Sequence, residues 1–417
     1  MTAEKKKKIK SLFSPRKLIV WLFVLILILT IPTINQPSMS KTHAIVTMMA
    51  VEQEDDMIKV ATMVLTPAQD KQPNYQIYSG EGSTIGDAVD SISLALGKEM
   101  GFAQCEIMAL GEKICADGVI KVLDYMTRTK KVQRNTILVN FSGELEDFAQ
   151  AVMNLSLEKQ LKLESIINFD KRYILADDSN IDKFYIGYYS PISLGLMTKI
   201  KIENEQSYNS IEVSSASGQP AQPSSSSGDS GGESEKKYLV NDGTVSVFKR
   251  GKKYIDMTQE EVKKANYFIN DAQKGTVVVE NVSDHIYDNA QVVINIVKKD
   301  TKLTPRFEGN RPIYDIELSL TIIIDEVVEE GPNENLLRRN QDFFTDALVE
   351  KIKEQVSADM YSIIDYCKTN NIDLLNVYKR FYALKNRQFE DYLSRVGIED
   401  YLNDIQYNIT IDVKSEN

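Results

Sequence analysis

Between Ser207 and Lys237 the chain reads SYNSIEVSSASGQPAQPSSSSGDSGGESEKK, and no other stretch limits the possible folds as much. From Ser214 to Ser234 almost every residue is Ser, Gly, Pro, Ala or Gln, with a few acids. Such a tract buries too little apolar surface to offset the entropy lost on ordering, so it belongs to no core and reads as a linker. The 417-residue chain then carries one body over 42–206 and another after 237. Each is long enough to enclose a hydrophobic interior.

A second constraint lies at the N-terminus. Lys5, Lys6, Lys7, Lys8, Lys10, Arg16 and Lys17 precede the apolar run LIVWLFVLILILTI, Leu18 to Ile31. The run is shorter than the ~20 residues that span a bilayer comfortably, but with Pro32–Ile34 and flanks that reach the interface it can cross. Residues 1–17 read as a basic cytoplasmic tail and 18–34 as a signal anchor, with everything later outside the cytoplasm. The alternative is a signal peptide cleaved after Ser38-Met39-Ser40. Residues 1–41 carry a net +7 and the remainder −18. An acidic body argues against nucleic acid as partner, because such binding needs a basic face that displaces counterions.

The first body alternates strands and helices. His43–Val51 and Met57–Leu65 read as a hairpin about Glu54-Asp55-Asp56. Thr84 with Asp87 caps a helix to Met100 that carries Ile85, Val89, Ile92 and Leu96 on one face. Glu106–Leu110 and Asn135–Asn140 read as strands, and Gly118–Thr127, Leu145–Asn154 and Leu157–Ile167 as helices. After the tract, 238–289 reads as a small middle α/β unit: strands Gly243–Phe248 and Tyr254–Asp256, a helix from Thr258 to Asn270, and strand Thr276–Glu280. The last unit, 290–417, pairs Ala290–Lys298 with Pro312–Val328 about Gly309-Asn310. Asn335 is the expected cap of a long helix with Phe344, Leu348, Ile352, Val356, Met360 and Ile364 in a stripe. A helix near Leu374–Leu384 and a strand Gln406–Lys414 follow. The expectation is a mixed α/β and α+β protein of three extracytoplasmic domains behind one membrane segment.

Chemical signals are sparse. Cysteines stand only at 105, 115 and 367, so no C-x-x-C motif exists, and His43 and His285 are the only histidines. No metal or cofactor site is indicated. GDSGG at 228–232 matches the nucleophile string of some serine proteases, but it lies in a Ser/Gly tract where composition produces it. Tyr75–Gly86 spells GxGxxxG, not a dinucleotide fingerprint; a turn and a helix cap account for it. Sixty acidic residues make carboxylate pairs inevitable, and no spacing selects a pair for hydrolysis. Arg128, Lys130, Lys131 and Arg134 form a basic cluster on the acidic body. They read either as a solvated loop or as a surface for anionic lipid or an acidic partner.

Several stretches in order resemble one family. HAIVTMMAVEQEDDMIKVATMVLTP (43–67) is similar to its opening hairpin, and 78–143, from YSGEGSTIGDAV to NTILVNFSG, to its most recognisable block. GTVSVFKRGKKYIDMTQEE (243–261) and ADMYSIIDYCKTNN (358–371) follow in the family's order. The family is the C-subunit of spore germination nutrient receptors, the Ger(x)C group. The resemblance implies a non-enzymatic accessory subunit at the spore inner membrane, without cofactor or metal and without a small-molecule ligand of its own. Its partners would be two integral-membrane subunits, one transporter-like and one partly soluble. Family members usually carry a cysteine just after the signal core for lipidation, whereas here none precedes Cys105. Anchoring then falls to the Leu18–Ile34 segment. The other readings are an envelope protein of the same fold unrelated to germination, and an exported hydrolase.

Overall fold

The computed structural model describes residues 43–66, 74–158, 179–204, 236–269, 275–328 and 344–416. The expected membrane segment, the Ser/Gly tract with its GDSGG string, the helix Leu157–Ile167 beyond Glu158, and Asn335 lie outside the described residues. Among the described residues no helix is long and apolar enough to cross a membrane.

The chain opens with β1 (His43–Glu54), β2 (Met57–Thr66) and β3 (Asn74–Gly82), an antiparallel meander. Asp55, at φ 50°, makes the turn between the first two. Then come α1 (Ile85–Leu96), β4 (Glu99–Gly101), β5 (Ile107–Gly111), α2 (Glu112–Asp117), α3 (Ile120–Arg128), β6 (Ile137–Ser142) and α4 (Leu145–Glu158). Next are α5 (Ile181–Tyr189), β7 (Leu194–Asn204), β8 (Lys237–Val240), β9 (Val245–Lys249) and β10 (Lys252–Met257). All ten strands share one sheet, ordered β10-β9-β7-β6-β5-β1-β2-β3, with β4 on β1 and β8 on β7. The middle strands β1, β5, β6 and β7 run parallel, and antiparallel hairpins close both sides. As a buried parallel core requires, one face is covered by α1, α3 and α5 and the other by α4.

Thr84 caps α1 as its sequence suggests: its hydroxyl accepts the Asp87 amide at 3.2 Å. The GxG turn before it needs no ligand. A Cβ on Gly80 would stand 2.3 Å from Ser91 Oγ, and one on Gly82 2.5 Å from Asp87 Cβ, so these glycines let β3 lie against α1. The helix stops at Gly97, whose φ of 62° ends it in the left-handed region, so Met100 falls in β4.

The strands after the Ser/Gly tract do not form a sheet of their own. Asn204 pairs with Lys237 and Lys201 with Val240, so the tract links two antiparallel neighbours. Lengthening a closed loop costs only about 0.6 kcal/mol per doubling, so a long polar tract fits inside a sheet as readily as between domains. The expected middle unit is therefore split. Its first strands complete the first sheet, while Val245, Val247 and Met257 bury their side chains in the core of the C-terminal unit.

That core lies between a second sheet and its helices. After α6 (Gln259–Ala265) and the 3-10 turn Asn266–Phe268, β11 (Gly275–Val282), β12 (Ala290–Glu308), β13 (Arg311–Val328) and β14 (Gln406–Ser415) pair in that order. The β12–β13 hairpin turns at Gly309, φ 60°. Its face is covered by α7 (Asp346–Thr369) and α8 (Val377–Val396). The expected stripe of α7 is buried at Leu348, Ile352, Val356, Met360 and Ile364, each worth about 1.5–3 kcal/mol when fully buried. The helix starts later than Asn335, however, because Thr345 caps it by accepting the Leu348 amide at 3.2 Å. Phe344 stands just ahead of it.

At the start of α8, Asn376 holds φ 56° and makes no side-chain cap bond. Asp373 does that work from three residues earlier. Its carboxylate accepts the amides of Val377 and Tyr378 at 2.8 Å each and the Tyr401 hydroxyl at 2.9 Å, inside the aromatic cluster of Tyr314, Phe381, Phe389 and Tyr392. Burial pushes the Asp373 carboxyl above its usual range, and these donors offset only part of the rise. Replacing Asp373 by Ala orphans three donors, two of them buried. Urea unfolding is expected to show a loss of about 2–4 kcal/mol, against no measurable change for Glu317→Ala in the exposed Lys302 pair.

Candidate interaction surface

The densest group of ionisable side chains sits where β7, β10 and α2 meet. Lys199 Nζ lies 2.7 Å from Asp256 Oδ2 and 2.9 Å from Glu112 Oε1; Lys253 Nζ lies 3.0 and 2.5 Å from the same two carboxylates. Ser246 Oγ donates to Asp256 Oδ1 at 2.7 Å, and Asn140 Nδ2 donates to the Leu110 carbonyl at 3.0 Å. Burial opposes both charges of the Lys199–Asp256 pair, but hydrogen bonds win. Lys199 is raised above the usual lysine range, and Asp256 is held below the carboxylate range by Lys199, Ser246 and Lys253. Each lysine of this group is paired with both carboxylates within the fold. Neighbouring Cys115 is buried, and burial pushes its thiol far up, which makes it a poor nucleophile.

The junction therefore joins the strands on either side of the tract. Because Asp256 is depressed in the fold, its contribution is present above the ordinary carboxylate range and lost as pH falls through the folded value. Asp256→Ala leaves two partly buried ammonium groups facing one carboxylate. The expected cost is about 2–4 kcal/mol, and Asp256→Asn is expected to flatten the acid limb of a stability–pH curve.

A cavity of ≈ 480 Å³ opens between α6, α7 and β11, but its charged rim is paired within itself: Lys264 lies 2.7 Å from Glu260 and 3.8 Å from Asp359. Among the described residues no cluster of His, Cys, Asp or Glu could hold a metal ion.

The basic cluster lies at one end of the first sheet, and the strand register places it. Met48, Ile107 and Ile137 occupy one row across β1, β5 and β6. His43 stands five residues before that row and Arg134 three, so both are at the strand-start end. Gln133 Nε2 donates to the Ala103 carbonyl at 2.6 Å, just after β4 leaves β1. Arg128 pairs with Asp124 at 3.0 Å and Arg134 with Asp182 at 3.2 Å; both side chains are more than 70% exposed. Lys130 turns inward to Asp90 at 3.5 Å and does not join the others. Lys131, at φ 55°, is exposed and makes no ion pair among the described residues. Three of the four side chains thus face solvent together.

Beside them lies α5, which sequence periodicity missed. Asn180 caps it by accepting the Lys183 amide at 2.9 Å, and the Ile181 and Asp182 amides bond to the carbonyls of Thr136 and Arg134. Ile181 and Phe184 are buried, with Phe184 edge-on to Phe248 at 5.4 Å. The opposite face carries Tyr185, Ile186 and Tyr189. Tyr185 and Tyr189 stack at 6.0 Å, and the Tyr185 hydroxyl reaches Thr127 at 3.5 Å. Ile186 is 65% and Tyr189 76% exposed, unusual for side chains of this size on a surface. The Asn180 cap with apolar residues at 181 and 184 is the signal that could have found this helix. A Cβ on Gly187 would stand 1.9 Å from the Leu194 carbonyl oxygen, so Gly187 fixes how closely α5 approaches β7. Gly187→Ala is expected to cost about 1–3 kcal/mol and to speed amide exchange from Asp182 to Tyr189.

The model of "Spore germination protein N-terminal domain" matches residues 40–202, and that of "Spore germination B3/GerAC like, C-terminal" matches 243–417. The curated "Spore germination protein KC" of Bacillus subtilis (strain 168) is 21% identical over 359 residues, covering 83% of this chain and 78% of its own length. The crystal structure of the GerBC protein superposes with a TM-score of 0.50 at 15% identity, over 88% of this chain and 97% of that one. That likeness is one of fold.

Proposed function

We propose that this chain, which belongs to the GerAC-like (Ger(x)C) family of spore germination proteins, is the membrane-anchored C-type subunit of a germination receptor. The observation that carries this reading is the match of both family models, in order and across the Ser/Gly tract, to most of the chain. The subunit works without catalysis. Its densest charge cluster is spent on joining strands, and its buried thiols are held protonated. It stays at the spore inner membrane through residues 18–34, whose apolar run follows a basic flank. Its body acts as a scaffold: two sheets joined where Val245, Val247 and Met257 enter the core of the C-terminal unit form a block against which two integral-membrane subunits, one transporter-like and one partly soluble, would couple their movements.

The test is a crosslinked pull-down from detergent-solubilised membranes, with the chain tagged at its C-terminus. Recovery of a transporter-like protein with a second multi-span protein is the expected result. Efficient crosslinking that recovers neither would overturn the receptor role and leave an envelope protein with the family fold.

A further inference from the structure

From the outer face of α5 and the basic loop we infer that the strand-start end of the first sheet rests on the bilayer surface, with Ile186 and Tyr189 in the interface and Arg128, Lys131 and Arg134 at the anionic headgroups. This rests on the reading of residues 18–34 as a membrane segment. Only eight residues, 35–42, separate that segment from His43, which limits the gap to about 28 Å even when fully extended. The end of the sheet nearest the membrane is therefore the one at which β1 begins.

The register puts the rest of this end beside it. Arg134 is in the same terminal rows as His43. Thr198 pairs with Val139, so Leu194, four residues earlier, also lies at this end, and it pairs with Lys249 next to the β9–β10 turn. Helix α5 begins at Asn180, bonded to the 134–136 backbone, and leads through Ser193 to Leu194. It therefore lies across the strand starts, with both of its ends at the membrane side.

The exposed chemistry suits a lipid surface. Tyrosine is favoured at headgroup depth, where the ring is apolar and the hydroxyl stays wet, and an aliphatic neighbour adds burial. Here Tyr185 and Tyr189 stack along the helix with Ile186 beside them. Leu94, 83% exposed near the end of α1, adds an apolar contact one turn from Asp90, the partner of Lys130. Arg128 and Arg134 reach out beyond their carboxylate partners, and Lys131 has none among the described residues. Each cation near an anionic leaflet adds about 1 kcal/mol of attraction, but only within about one Debye length. Lipid contact thus holds the body in one orientation instead of letting it swing on its tether.

The native cysteines make the test clean. Cys105, Cys115 and Cys367 are all buried, and burial pushes the Cys105 and Cys367 thiols up to about 12, so an introduced surface cysteine reacts alone. The full chain carrying Ile186→Cys, Tyr189→Cys or, at the far end of β1, Asp55→Cys is labelled with an environment-sensitive fluorophore. It is then reconstituted in phosphatidylcholine vesicles with or without about one-third phosphatidylglycerol. Quenching by spin-labelled lipid is expected to be about threefold or more stronger at 186 and 189 than at 55, as an interfacial depth of roughly 5–10 Å requires. It should weaken without phosphatidylglycerol and in the combined Arg128→Ala, Lys131→Ala, Arg134→Ala variant. Flotation of the same vesicles separates the two readings. A chain that does not float has no membrane segment, and the inference falls with it. A chain that floats while the probe at 186 stays as aqueous as that at 55 overturns the lipid contact alone and assigns the ridge to a protein partner.

Discussion

Lys199, Lys253, Glu112 and Asp256 meet where strands from either side of the Ser/Gly tract are held in one sheet. Lys199 belongs to β7, before the Ser/Gly tract; Lys253 and Asp256 belong to β10, after it; Glu112 opens α2 on the face between them. Ion pairs of this kind contribute little on an open surface, but these lysine side chains are only 15% exposed, and a partner left alone there would be a stranded charge. The arrangement tolerates one pairing of strands and penalises others. With it in place, β9 presents Phe248 to the core under α5 and Val245 and Val247 to the core under α7. The first sheet thus contributes Val245, Val247 and Met257 to the core under α7.

That rigidity gives the outer surfaces their meaning. A close-packed interior resists deformation. The Asp373 cap, the aromatic cluster around Tyr401 and the bond from Lys249 Nζ to the Asn370 carbonyl at 3.0 Å extend the same stiffness across the boundary between the units. Arg250, paired with Glu399 at 3.1 Å, adds a contact at the rim. Against this block, α5 turns Ile186 and Tyr189 outward while its inner face is locked by Gly187 and Phe184.

Local signals in the chain were readable wherever the cause was local. The β1–β2 hairpin, the Thr84 cap, the Gly309 turn and the buried stripe of α7 follow from alternation, capping chemistry and a 3.6-residue period, each contained in a short window. Other elements depended on partners far away. Helix α2 has six residues and is held by the sheet top, while α5 and β7 lie just after residues whose pattern carries no strong period. The start of α7 was misplaced because Asn335 and Thr345 are both good caps, and only the packed position of Leu348 selects between them. The basic cluster was visible as four residues, but the inward turn of Lys130 and the ridge beside the other three were not.

By itself, then, the sequence determined the mixed α/β class, the local hairpins, caps and helical stripe, and the position of a tract that no core could use. Each of these depends on composition or on neighbours within a few turns. Tertiary structure decided that the strands flanking the tract pair antiparallel in one sheet, that the strands after it serve two cores at once, and that α5 lies across the strand starts beside the basic loop. Those outcomes depend on which distant backbones pair and which charges share a buried junction, and a loop whose closure cost grows only with the logarithm of its length leaves no mark of its partners in the sequence.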